Sequence, residues 1–76
     1  MNEDEIIRER VRLTIIACRL SMGWTQEQLA EKVERKKTTI ASWEQGKAEP
    51  SLEMLWKLSK LFGKNIAEMY GEENDH

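Results

Sequence analysis

Residues 25–46 read TQEQLAEKVERKKTTIASWEQG. Two stretches with helical spacing stand here almost end to end, joined by a basic clump, Arg35-Lys36-Lys37. The first stretch has a strong start. Thr25 followed three residues later by Gln28 is a capping box, in which each residue satisfies a backbone amide of the other. Trp24 before the cap and Leu29 at the fourth helical position form a hydrophobic staple. Leu29, Ala30 and Val33 then make one inner face, and the small Ala30 lets another helix approach. The second stretch is expected over 36–45, with Ile40 and Trp43 as its inward pair. Lys37, Thr38, Ala41, Ser42 and Gln45 fall on the other side. An ordinary solvated helix face carries Glu–Lys pairs at three- and four-residue spacing. This face instead carries short side chains flanked by lysines, so another surface can come close to it.

The flanking sequence is helical too. Residues 5–21 predict a first helix with Ile7, Val11, Ile15 and Cys18 as its apolar stripe, stopped near Gly23. Ser51 behind Pro50 caps a fourth helix over 52–62, with Leu52, Leu55, Leu58, Leu61 and Phe62 on a wide apolar face ending at Gly63. Asn65 with Glu68 is a second capping box and opens a fifth helix over 66–70. The domain is expected to span residues 1–70, with 71–76 an acidic disordered tail. No alternating strand pattern is convincing. Helices this short are marginal alone in water and must be held by mutual packing. The expected fold class is all-α, a compact five-helix globule.

Composition narrows the function classes. A chain of 76 residues is one small domain near the lower limit for a self-sufficient core, which a partner subunit would help. The net charge is −2, but the acids crowd the ends: Glu3, Asp4, Glu5, Glu72, Glu73 and Asp75. Residues 6–71 hold 8 acids against 12 bases, so the body is basic. Cys18 is the single cysteine, which excludes an intramolecular disulfide and fits a reducing, cytoplasmic setting. The acidic start does not resemble a signal peptide, and no apolar run is long enough for a membrane. His76 is the only histidine, so a zinc cluster or histidine triad is excluded and no cofactor is expected. Without a nucleophile–base pair or a glycine-rich phosphate loop, an enzyme is not expected. Ile16, Met22, Met54, Trp56 and Met69 exceed what so small a core can hold. Met54 and Trp56, near the start of the fourth helix, are the candidates for a dimer contact.

Two helices joined by a tight turn, the second with a small polar outer face, form a helix-turn-helix, which places the second helix in the DNA major groove. The sequence resembles the helix-turn-helix domain of phage repressors, Cro proteins and Xre-type bacterial regulators over residues 11–70. The resemblance is carried by Arg19, WTQEQLA at 24–30, TI at 39–40, WEQGK at 43–47, PSLE at 50–53 and LFGKNIAEM at 61–69. It implies a lambda-repressor-like fold and double-stranded DNA as partner, with no small-molecule ligand. It implies that Gln26, with Thr25 beside it, meets a DNA phosphate at a helix N-terminus. Lys37, Thr38 and Ser42 would face base edges, joined by Lys36 and Ala41. Gln45 and Lys47 would hold backbone phosphate. Arg19 and Glu44 would form a partly buried structural salt bridge. Relatives often dimerise around the fourth and fifth helices. A homodimer would set two recognition helices about 34 Å apart on a near-palindrome.

The turn departs from the family pattern. Glu34 stands where glycine is common, Arg35 where an apolar residue is common, and Lys36 where a Ser or Thr cap is common. Lys36 cannot accept from a backbone amide. Either the turn is looser than in the family or the recognition helix starts a residue later, near Lys37, and the base-reading register is open by one residue. Two function classes follow. The first is a regulator acting by operator occupancy, as a small repressor or Cro-like switch. The second is a protein-interaction module, such as an antitoxin-like partner, with weak or no DNA binding. The first is the preferred reading; the acidic total charge, odd turn and apolar surplus are what support the second as its alternative. It would self-associate regardless of salt and leave DNA mobility unchanged.

Overall fold

In a computed structural model describing residues 2–72, the chain folds as α1 (Glu3–Ser21), α2 (Gln26–Val33), α3 (Lys37–Glu44), α4 (Leu52–Phe62) and α5 (Ile66–Met69). There is no strand among the described residues. The proposed acidic tail at 71–76 falls largely outside them.

Four of the five helices begin where a side chain accepts from an otherwise unpaired amide. The Asn2 carboxamide accepts from the Glu5 amide at 2.9 Å, so α1 starts two residues before the expected position. Glu3, Asp4 and Glu5 then lie in its first turn, where the helix dipole favours acids. At α2 both halves of the capping box form: Thr25 Oγ1 accepts from the Gln28 amide at 3.1 Å, and Gln28 Oε1 from the Thr25 amide at 2.8 Å. Ser51 caps α4, and Asn65 with Glu68 makes the second capping box at α5. Only α3 starts without a side-chain cap, because Lys36 occupies that position.

The core gathers one face of every helix: Val11 and Ile15 from α1, Leu29, Ala30 and Val33 from α2, Ile40 and Trp43 from α3, Leu55 and Leu58 from α4, and Met69 from α5. Trp24 packs on this core and stacks at a tilt on Phe62, with ring centroids 6.4 Å apart. Three apolar assignments need correction. Ile7 is 39% exposed, so it sits at the rim of the inner stripe beside Val11 and Tyr70 rather than within the core. Leu52, at the first position of α4, is 72% exposed rather than on the apolar face. Met54 is 2% exposed, so it is a core residue and not a surface for a dimer contact. Of the apolar surplus, Met54 and Met69 are inside, Ile16 is half-buried, and Met22 and Trp56 are exposed.

The turn between α2 and α3 is left-handed at Glu34, with φ 57° and ψ 48°. The Glu34 amide donates to Glu31 O at 3.3 Å and the Arg35 amide to Ala30 O at 2.9 Å, closing the end of α2. For a residue with a Cβ this conformation costs about 1–2 kcal/mol. Glycine removes that cost but frees the unfolded chain, an offset of about 0.4–1 kcal/mol. Glu34→Gly is thus expected to stabilise the fold by about 0.5–1 kcal/mol, a rise of several degrees in Tm. A thermal melt showing an unchanged or lower Tm would contradict this account of the turn.

Candidate nucleic-acid interface

The α2–turn–α3 unit is built around one carboxylate. Glu44, 7% exposed at the end of α3, accepts from Arg19 Nε at 2.6 Å and from Arg19 Nη2 at 3.0 Å. This bidentate pair ties α1 to α3 with the geometry that makes Arg–carboxylate pairs strong. Arg19 Nη1 also donates to Trp24 O at 2.8 Å, fixing the residue before the α2 cap. Gln26 Nε2 donates to Glu44 Oε1 at 3.0 Å. No buried side-chain nitrogen or oxygen among the described residues lacks a partner.

A second arginine supports the same corner. Arg12 Nη1 donates to Glu44 O at 3.0 Å, and its guanidinium also pairs with Glu9. The hydrogen bond from Arg12 holds the Glu9 carboxyl below the ordinary carboxylate range, and the same bond pushes Arg12 upward. At Gly46, in a left-handed turn with φ 75°, a Cβ would approach Arg12 Cδ to 3.3 Å. Glycine there lets the chain turn out of α3 with Arg12 alongside. The Lys47 amide then donates to Ser42 O at 2.9 Å, which places Lys47 just past the helix end. Burial raises the Cys18 thiol above its usual value, as suits an inert core residue.

The outward side of this unit carries the residues singled out in the sequence. Lys37 and Thr38 are exposed on α3 and Gln45 is exposed at its C-cap, with Ala41 and Ser42 half-buried between them. Lys36 and Lys47 are exposed at its two ends, and Thr25 is exposed at the start of α2. Among the described residues, the side chains of Lys36, Lys37, Thr38, Ser42, Gln45 and Lys47 have no protein hydrogen-bond or ion-pair partner. Gln26 is half-buried, and its amide nitrogen is aimed by Glu44. One N–H goes to the carboxylate, and the second is left for an acceptor outside. Beside it, the first amides of α2 have no intrahelical partner and favour an anion. The Arg19–Glu44 pair lies behind this surface.

Sequence reading missed the Gln26–Glu44 and Arg12–Glu44 bonds. Trp56 is apart from the surface, on α4, where it is 53% exposed with Lys60 Nζ 5.3 Å from its ring centroid. Met54 belongs to the core.

The sequence of residues 15–69 matches the family model described as helix-turn-helix. The chain belongs to the Xre-type helix-turn-helix family. It is 37% identical over 60 residues to an uncharacterised HTH-type transcriptional regulator of Archaeoglobus fulgidus, covering 79% of this chain and 86% of that one. It is 41% identical over 51 residues to another such regulator, from Methanocaldococcus jannaschii, covering 67% and 77%. It is also 45% identical over 56 residues to the HTH-type transcriptional activator BcrR of Enterococcus faecalis, covering 72% of this chain but 28% of that longer protein. These relatives are named as transcriptional regulators, and the helix-turn-helix found here supports DNA binding in transcription regulation. No helix among the described residues is long and apolar enough to cross a membrane.

Proposed function

We propose that this helix-turn-helix protein is a sequence-specific regulator that inserts α3 into the major groove of double-stranded DNA in the cytoplasm. The supporting observation is the outer face of α3. It is polar, small-featured and without internal partners, on a helix locked from behind by Arg19 and Glu44. Lys37 suits guanine O6 and N7, Thr38 and Ser42 suit several base edges, and Ala41 suits a thymine methyl. Lys36 sits at the N-cap, one residue before the helix, and reaches the groove edge. Gln26 with Thr25 on one side, and Gln45 with Lys47 on the other, hold phosphates and set the register.

Two copies on a near-palindrome give the unit its specificity. Leu52 and Trp56 lie one turn apart on the exposed side of α4, so they form a single apolar stripe. Leu52 takes the place that the sequence suggested for Met54. A two-fold contact through this stripe joins the copies. Occupying an operator then blocks polymerase, which is a repressor or Cro-like action.

Selection from random duplex DNA tests the reading, run in parallel with wild type and Lys37→Ala/Thr38→Ala. A near-palindrome is expected for wild type, with its half-sites degenerate in the variant. Loss of a good base contact costs about 1–3 kcal/mol of discrimination. Folded wild-type protein that enriches no sequence would overturn the proposal in favour of a protein-interaction module.

A further inference from the structure

Helix α1 has two apolar faces. One, with Val11, Ile15 and Cys18, enters the core. On roughly the opposite side stand Ile6, Leu13 and Leu20, which are 40%, 50% and 61% exposed. They recur every seven residues, and Arg10 and the exposed Ala17 fall between them at spacings of four and three. A seven-residue repeat of this kind is the seam of two packed helices. It extends over 14 residues, about 21 Å at about 1.5 Å per residue. None of the DNA-facing residues lies on α1.

We propose that this seam binds the α1 of a second copy, antiparallel, with Leu13 on the two-fold axis. The pattern is self-complementary. Ile6 and Leu20 are equally spaced on either side of Leu13, so reversing the helix superposes the stripe on itself, as an isologous contact requires. In the antiparallel register Leu13 meets its own counterpart and Ile6 meets Leu20 of the other copy. Charge selects this direction. A parallel in-register pair would stack Arg10 on Arg10 and Glu3 on Glu3 within the seam, which repels. The antiparallel pair sets the small Ala17 at the height of Arg10, whose stem lies along Gly71 of its own chain and so leaves the seam open, and sends Glu3 to the solvent-facing end. The contact is separate from the α4 stripe. Together the two would join operator-bound dimers into larger assemblies on neighbouring sites.

Cysteine trapping tests both the partner and the direction, in a Cys18→Ala background and without DNA. Leu13→Cys is expected to form a disulfide dimer under mild oxidation. It should do so at least about tenfold faster than Glu31→Cys, an exposed control on α2, because held thiols meet at a millimolar effective concentration. Ile6→Cys mixed with Leu20→Cys should give chiefly the mixed dimer. Adding Leu13→Glu to the Leu20→Cys chain should abolish that trapping. Thermal melts confirm that each variant is folded. Trapping at the control rate would overturn the proposal. Predominant Ile6→Cys homodimers would mean a parallel pair and overturn it equally.

Discussion

Glu44→Ala is expected to cost about 3–5 kcal/mol, because removing one partner of a buried pair leaves the other as an uncompensated charge. For a domain of this size that is a fall in Tm of about 12–40 °C, at about 4–8 °C per kcal/mol. The structure says why the loss is large. The Arg19 side chain is only 13% exposed, so water cannot replace the carboxylate without opening the α1–α3 contact. Two of its donors lose their acceptor, and only Trp24 O remains. Gln26 loses the oxygen that aims its amide. DNA affinity should therefore fall for two reasons, a smaller folded fraction and a misdirected phosphate donor. Glu44→Gln keeps one acceptor in nearly the same shape and is expected to lose less. Circular dichroism melts without DNA measure the first effect. An unchanged Tm for Glu44→Ala would refute the account of Glu44 as the structural centre of this unit.

The parts of the fold that were legible in the sequence are those specified by near neighbours. The capping boxes at Thr25 and Asn65 join residues three apart, so they can be read without the rest of the molecule. The left-handed turn at Glu34 was legible as a departure from a pattern, whereas α3 starts at Lys37 directly after the cap position, with Lys36 there making no side-chain cap bond. What spacing alone misjudged was which side of α4 faces inward. At about 100° per residue, Met54 lies between Leu58 and Leu61, while Leu52 sits about 60° beyond Leu55, at the outer edge of the face. Leu52 reads as core by type, yet Met54 takes the inner place, and only the docking of α4 on α2 and α5 decides it. The candidate interface divides the same way. Its outer face is legible because the residue types are wrong for a plain solvated helix. Its support is not, because Gln26 and Glu44 are 18 residues apart and Arg12 and Glu44 are 32 apart. No local signal connects them. The outer seam of α1 is present in the sequence as a seven-residue repeat, but it shows as a seam only once Val11, Ile15 and Cys18 are seen to occupy the other face.

Affinity for the selected operator is expected to fall steeply with salt, and the slope can be assigned to residues. Lys36, Lys37 and Lys47 are exposed and in no ion pair among the described residues, so each can neutralise a phosphate. Two copies on a palindrome bring six such lysines, and log K should fall with log salt at a slope of about −5 if all of them displace counterions. Six contacts correspond to a loss of about 10³ in affinity between roughly 50 and 200 mM salt. The lysines should separate by role. Lys47 lies past the end of α3, and if it meets backbone phosphate as proposed, Lys47→Ala should weaken every sequence alike and flatten the slope by about 2, one contact per copy. Lys37 is exposed in the first turn of α3, and with the base-reading role proposed for it, Lys37→Ala should relax specificity at one position of each half-site while non-specific DNA keeps most of its affinity. Fluorescence anisotropy titrations against the operator and a scrambled duplex, repeated over a salt series, give both quantities. A Lys47→Ala slope equal to that of wild type would remove Lys47 from the phosphate-contacting set. A uniform loss for Lys37→Ala across both duplexes would place Lys37 on the backbone instead, and the base-reading register would then begin at Thr38.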